Sequence, residues 1–505
     1  MQAGREPSNV IGAATAGGEG MAFEFVRWRG GAAASEAWTR SDLARAVCRA
    51  GGAIASRTAA GDRVVVAAPP GLGFVAAFLG CLAAGRIAVP AQFPATARAR
   101  ETVARLVAVT GATLTVTEAA EGPEIAPVAP APEDIAYLQF TSGSTQAPRG
   151  AVITHGALAA NLAVIADAWV LGPNDRGVFW LPTFHDMGLV GAILTPLVCG
   201  FPATLMHPAA FLQRPARWLD LIAARRATFS GAPNFAYDLC IERAEIDASR
   251  DLSSWRVAVN GAEPVSAATL RRFAARFARC GFRAEALSPG YGLAESVLFA
   301  TARRSDGADG HAEENPVSCG PPGRGVVVRI VDETRGVRMP DGAEGAIWLA
   351  GPSLASGYWN APEDDTFGAR LPGEPHAFLR TGDIGFLRNG ELHVSGRARD
   401  TIVRAGRKTH AADIEHAIAA RLAGRSAAFA AGERLVIVHE LPAGAPAHSA
   451  RAAIADALGA EFELVADEIS FVAPGGVRIT ASGKIARAAT RAAWLARDLT
   501  PARQP

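Results

Sequence analysis

Several large protein classes are made improbable by what this chain has little of. Its six cysteines (Cys48, Cys81, Cys199, Cys240, Cys280, Cys319) are scattered and form no CxxC pair or Cys/His cluster. That argues against structural metal and a disulfide framework, and predicts reduced core thiols in a cytoplasmic protein. Neither sign of charge is in excess: 50 Lys and Arg stand against 49 Asp and Glu, and 49% of residues are apolar, so neither nucleic-acid binding nor disorder is indicated. The one long uncharged run, 188–205, is interrupted by Pro196 and Pro202, and predicts a buried helix followed by a strand rather than a membrane span. Residues 1–20 lack the apolar core of a signal peptide and predict a disordered tail, with Met21 as an alternative start. No Gly-Lys-Ser/Thr follows a glycine run anywhere, which excludes a Walker phosphate loop.

At 505 residues the chain exceeds one small core, and two or three domains are expected. An amphipathic helix is predicted over 42–55, a strand over 63–68, an apolar helix over 72–84 and a strand over 87–91; this alternation predicts a mostly parallel sheet covered on both faces. Gly71-Leu72-Gly73 opens like a dinucleotide fingerprint, but Pro69-Pro70 fills the turn and no acid ends the next strand, which argues against a Rossmann cofactor site. Thr154 can cap a helix over 155–169, and a strand over 176–181 delivers Thr183 to Gly188 to its C-terminal end, where open parallel sheets bind ligands. A helix at 217–225, strands at 227–230 and 257–260 and a helix at 266–279 continue the pattern. The fold class is therefore α/β. It comprises a large N-terminal domain, 21–396, of stacked α/β subdomains with a β-rich subdomain from about 323, a charged hinge at 397–402, and a small mobile α+β domain at 403–505.

Between strands predicted at 135–140 and 151–153 lie Thr141, Ser142, Gly143, Ser144 and Thr145. Glycine lets backbone N–H groups come close, the hydroxyls add donors and Arg149 adds charge, so the loop can wrap a polyanion; the residues alone also fit a polar hairpin. Further along come Asn260-Gly261-Ala262-Glu263-Pro264, Pro289-Gly290-Tyr291-Gly292-Leu293-Ala294-Glu295, Arg380-Thr381-Gly382-Asp383, Gly396-Arg397-Ala398-Arg399-Asp400 and Thr480-Ala481-Ser482-Gly483-Lys484-Ile485. Singly, each fits a blander role: a glycine-flanked tyrosine is more often core, and a lone glutamate or loop lysine is usually solvated. Their order along one chain is the signal.

Together these stretches resemble the adenylate-forming superfamily of acyl-CoA synthetases, peptide-synthetase adenylation domains and luciferases, from Leu138 to Arg487. The resemblance implies ATP and Mg²⁺ as cofactors. It implies that Thr141 to Thr145 hold the β- and γ-phosphates, that Gly261, Ala262 and Glu263 lie against adenine, and that Tyr291 packs on the ring in a turn with Gly292, Leu293 and Ala294. Glu295 would hold Mg²⁺, Asp383 the ribose hydroxyls, Arg397 the ribose or phosphate, and Asp400 would be the pivot. Lys484 would bridge acyl and phosphate oxygens in the transition state, with Thr145, His185 and Glu295 as further catalytic residues.

Trp180 to Gly191, Arg214-Pro215 to Trp218 and Asn260 to Val265 are similar to the fatty acyl-AMP ligase branch, as is the extended segment 366–376 before Phe378 to Leu387, where that branch carries an insertion thought to hinder CoA use. The implied partners are a fatty acid and an acyl carrier protein or polyketide or peptide synthetase carrier domain, with no nucleic acid and no membrane span. The segment 366–376 is short for that insertion, Gln146 and Arg149 replace the commoner glycine and lysine, and Lys408 and Ala411 replace Asn and Pro. Rival readings are an acyl-CoA ligase, an aryl or other carboxylic acid adenylating enzyme, and an inactive adenylate-binding regulator; the last would have no need of Glu295, Asp383, Arg397 and Lys484 together. Leu189, Val190 and Phe211 fit core or acyl tunnel equally.

Overall fold

The computed structural model describes residues 9–140, 149–247, 249–303, 316–404, 407–432, 434–480 and 483–502. Short β-branched strands buried on both faces, such as Arg63–Val66 and Val257–Asn260, build two largely parallel sheets. The larger has eight strands in the order 301–302, 287–291, 257–260, 229–232, 177–179, 203–206, 21–29 and 32–39. Its six inner strands run parallel, and one antiparallel strand closes each edge. The second has five strands in the order 114–116, 63–66, 87–90, 135–140 and 150–154, the last antiparallel.

Helices cover the sheets as the alternation predicts. Arg40–Ala55 and Leu72–Ala83 meet backbone to backbone, because a Cβ on Gly80 would lie 2.7 Å from the Gly51 nitrogen. The uncharged run becomes a π-helix, Met187–Leu194, then the α-helix Thr195–Cys199 and the strand Ala203–Met206. No helix among the described residues is long and apolar enough to cross a membrane.

The expected disordered tail is corrected over part of its length. Val10–Thr15 forms a helix capped by the Asn9 side chain, which accepts from Ile11 N–H at 3.0 Å, and Val10, Ile11 and Ala14 are buried in the main core. Its apolar face, less than two turns long, is too short to register as a period among the surrounding Gly and Ala. Deleting residues 1–20 should cost about 3–5 kcal/mol of burial and lower the thermal midpoint; an unchanged midpoint would refute the packing role.

Antiparallel strands Val327–Asp332, Gly345–Ala350, Ala377–Arg388 and Glu391–Arg397 make the β-rich sheet. The extended segment 366–376 is pinned to it: Arg380 N–H donates to Thr366 O at 2.8 Å, Leu371 is buried, and Glu374 pairs with Arg329. In the small C-terminal domain, strands Ser426–Ala431, Arg434–Glu440 and Glu468–Val472 pack with helices Ala411–Ala419 and Ala447–Phe462 around a separate core that includes Ile414, Ile437 and Leu458, while Trp494 of helix Arg487–Leu495 joins a second cluster with Phe429, Val436 and Val438. No disulfide joins any of the six cysteines.

Candidate active site

A cleft of about 1280 Å³ opens where the larger sheet, the β-rich sheet and the small domain converge. The parallel strands 177–179, 229–232, 257–260 and 287–291 deliver His185, Phe235, Gly261 to Pro264 and Gly292 to Glu295 beyond their C-terminal ends.

On one side stands a carboxylate with two partners. Asp383 and Arg397 are directly opposite in adjacent antiparallel strands, which explains why Arg397 Nε reaches Asp383 Oδ1 at 3.1 Å. Tyr291 Oη donates to Asp383 Oδ2 at 2.7 Å, and Asp383 N–H donates to Thr381 Oγ1 at 3.1 Å. Gly382 beside it has φ +72°. The neighbouring turn at 260–264 is held by buried Asn260, which donates to Asn234 Oδ1 at 2.8 Å, while Asn234 donates to Pro264 O at 3.0 Å. Ala262 in that turn has φ +69°, a strained value for a residue with a Cβ.

Glu295 accepts a 2.6 Å hydrogen bond from Tyr358 Oη, and the Arg149 guanidinium lies 4.5 Å from the centre of the Tyr358 ring while pairing with Asp364 at 2.8 Å. Among the described residues no three His, Cys, Asp or Glu side chains gather as a metal site. A lone carboxylate suits Mg²⁺, which takes one or two carboxylates and fills its other positions with phosphate and water oxygens.

Lys484 approaches from the small domain. The chain carries lysine only at 408 and 484. Ile479 and Ile485 flank Lys484 in an antiparallel bridge, Thr480 N–H donates to Lys484 O at 2.8 Å, and Lys484 N–H donates to Thr480 Oγ1 at 3.2 Å. Gly483, at φ +89°, lies so close to Phe235 of the large domain that a Cβ would be 2.8 Å from its ring. Burial lowers the lysine pKa, against the opposing pull of the Asp186 and Glu263 carboxylates. Glu263 accepts from Phe235 N–H at 3.0 Å, and burial raises its pKa. Burial also pushes Asp186 up, but His185, whose Nδ1 lies 2.5 Å from Asp186 Oδ1, together with Lys484 holds it below the usual range.

Three residues past Lys484, Arg487 joins Asp400 Oδ2 at 2.9 Å to buried Glu415, with Nη2 at 2.6 Å from Glu415 Oε2. The cleft thus gathers His185, Gly261, Ala262, Glu263, Tyr291, Gly292, Leu293, Ala294, Glu295, Asp383, Arg397, Asp400 and Lys484. Thr141, Ser142, Gly143, Ser144 and Thr145 lie outside the described residues. Sequence reasoning missed Phe235, Tyr358 and the Arg487–Glu415 pair; each acts through a contact across the fold and belongs to no recognisable motif. Leu189, Val190 and Phe211 are core residues and do not line the cleft.

The family profile described as AMP-binding enzyme matches residues 99–359, and that of the Disco-interacting protein 2-like AMP domain matches 399–504. Long-chain-fatty-acid–AMP ligase FadD28 of Mycobacterium tuberculosis is 36% identical over 85% of this chain and 87% of its own length. Medium-chain-fatty-acid–[acyl-carrier-protein] ligase JamA of Moorena producens is 34% identical over 86% of each. A structure from a study of fatty acyl-adenylate ligases from E. coli and L. pneumophila superposes with a TM-score of 0.86 at 30% identity, covering 98% of this chain and 99% of that one. With matches spanning both domains, the chain belongs to the AMP-binding enzyme family, among the fatty acyl-AMP ligases.

Proposed function

We propose that the chain activates a fatty acid with ATP to an acyl-adenylate, releasing pyrophosphate, and then passes the acyl group to the phosphopantetheine thiol of an acyl carrier protein. The observation that carries this reading is the meeting, in one cleft, of the Asp383–Arg397–Tyr291 cluster with Lys484 brought in from the small domain.

In the first step a carboxylate oxygen bonds to the α-phosphorus and the bond to the pyrophosphate oxygen breaks. A carboxylate is a weak nucleophile, so alignment and charge stabilisation supply the rate. Asp383 accepts from the ribose hydroxyls, Arg397 faces ribose or phosphate, and the Tyr291 ring and Gly261 to Glu263 flank adenine. Thr141 to Thr145 cradle the β- and γ-phosphates. Lys484 donates to the acyl and α-phosphate oxygens as negative charge builds between them, and His185, paired with Asp186, borders the carboxylate. Glu295, oriented by Tyr358, would hold Mg²⁺, which offsets phosphate charge. In the second step a thiolate attacks the acyl carbon, its bond to the phosphate oxygen breaks, and AMP leaves. The small domain, 403–505, turns about 397–402 between the steps, and Asp400 must then exchange its contact with Arg487. The use of ATP and a carrier protein fits a cytoplasmic setting.

Asp186 is engaged by His185 and by Met187 N–H at 2.6 Å, which leaves it poorly placed to hold an α-ammonium group and weighs against an amino-acid substrate. The test is trapping of acyl-hydroxamate from a fatty acid, Mg-ATP and hydroxylamine; formation only with amino or aryl acids would overturn the reading. Tyr358→Phe, which keeps the ring under Arg149 and loses the bond to Glu295, should raise the Mg²⁺ concentration for half-maximal ATP binding by about threefold to tenfold, read calorimetrically without turnover. An unchanged Mg²⁺ dependence would remove Tyr358 from this role.

A further inference from the structure

We infer that Trp169 sets the length of acyl chain the cleft accepts. This rests on the fatty-acid reading above and names the part of the acid that is selected. Strand register locates an apolar branch of the cleft below the C-terminal edge of the larger sheet. Gly231 pairs with Val259, and Phe229 stands on the same face two residues, about 7 Å, deeper along the strand. Phe229 pairs with Gly177, where a Cβ would lie 2.6 Å from the Phe179 ring, so that ring folds back over the glycine toward Phe229.

The walls change character with depth. At the level of Gly231 they are small or aliphatic, with Val259 beside it and Gly191 against Leu298. Deeper, they are aromatic: Trp169 meets Phe299 edge-on at 5.0 Å and Phe229 at 5.6 Å, and Phe229 meets Phe179 edge-on at 5.6 Å. Trp169 is held in place. Its single polar atom, Nε1–H, donates to Ser288 Oγ at 2.7 Å, and that hydroxyl donates to Arg303 O at 2.5 Å. The residue ends the helix His155–Trp169, and Val170 turns the chain with φ +49°. The indole N–H is thereby spent on Ser288, leaving hydrocarbon to face the cavity. A carboxylate placed between His185 and Lys484 sends its alkyl chain past Gly231 and sets its methyl end on Trp169. A longer chain must displace the indole and break its bond to Ser288.

The test is kcat/KM for pyrophosphate release with straight-chain acids from butanoate to octadecanoate. The unsubstituted chain should peak at medium length. Trp169→Ala should raise the ratio of hexadecanoate to octanoate by about tenfold or more, with KM for ATP unchanged. Phe229→Leu opens the same floor more gently and should move the ratio in the same direction, which keeps the inference testable if Trp169→Ala does not fold. An unaltered length profile in Phe229→Leu and in folded Trp169→Ala overturns this inference alone. No adenylate from any fatty acid with the unsubstituted chain overturns the fatty-acid reading and this inference with it.

Discussion

Lys484→Ala should slow acyl-adenylate formation by roughly a hundredfold to a thousandfold while ATP binding changes little. Removing one preorganised donor from a developing anionic centre costs about that much in a water-poor site. Lys484 lines the cleft from the small domain, and it is one of only two lysines in the sequence, the other being Lys408. The pH dependence carries a definite sign. Burial lowers the Lys484 pKa although Asp186 and Glu263 pull against it, and in the proposed mechanism the ammonium is the form that stabilises the transition state. Raising the pH removes that form, so kcat/KM should decline with a midpoint below the ordinary lysine range. Lys484→Arg stays charged and should lose this alkaline limb whatever its absolute rate. Undiminished pyrophosphate release by the alanine variant would refute the assignment.

Asp383→Ala should act on nucleotide affinity rather than on chemistry. The substitution removes the proposed acceptor for the ribose hydroxyls, and it also strips Tyr291 of its 2.7 Å partner and Arg397 of its 3.1 Å partner. Hydrogen bonds to a charged group contribute about 1.5–3 kcal/mol each, so losing the ribose contacts should cost about 3 kcal/mol, near a hundredfold in KM for ATP. Asp383→Asn keeps an acceptor for Tyr291 but loses the charge opposite Arg397, and should fall between the two. An unaltered KM for ATP in the alanine variant would count against the ribose contact.

What could be read in the sequence was what local chemistry dictates. Val257–Asn260 and His155–Trp169 lie where the apolar run and the Thr154 cap place them. The strand expected at 227–230 begins two residues later, because Arg226 leaves its helix at φ +47° and Ala227 N–H still bonds back to Ile222 O. Tyr291, Glu295, Asp383 and Lys484 could be singled out because the short stretches that carry them follow one another in order along the chain, although each alone fits a blander role. Tyr358 and Arg487 could not be. Tyr358 lies 63 residues from Glu295 and Arg487 lies 72 from Glu415, and neither pairing leaves a mark in the local text. The acyl branch was hidden for the same reason: its floor joins a helix end, two strands and a loop that only the folded chain brings together.

The most direct test of the central claim is mass spectrometry of one reaction containing the protein, Mg-ATP, a panel of fatty acids, CoA and a phosphopantetheinylated carrier protein. The account predicts acyl-adenylate and acyl-carrier thioester without acyl-CoA. Acyl-CoA in place of the acyl-carrier product, or no adenylate from any fatty acid, would contradict it.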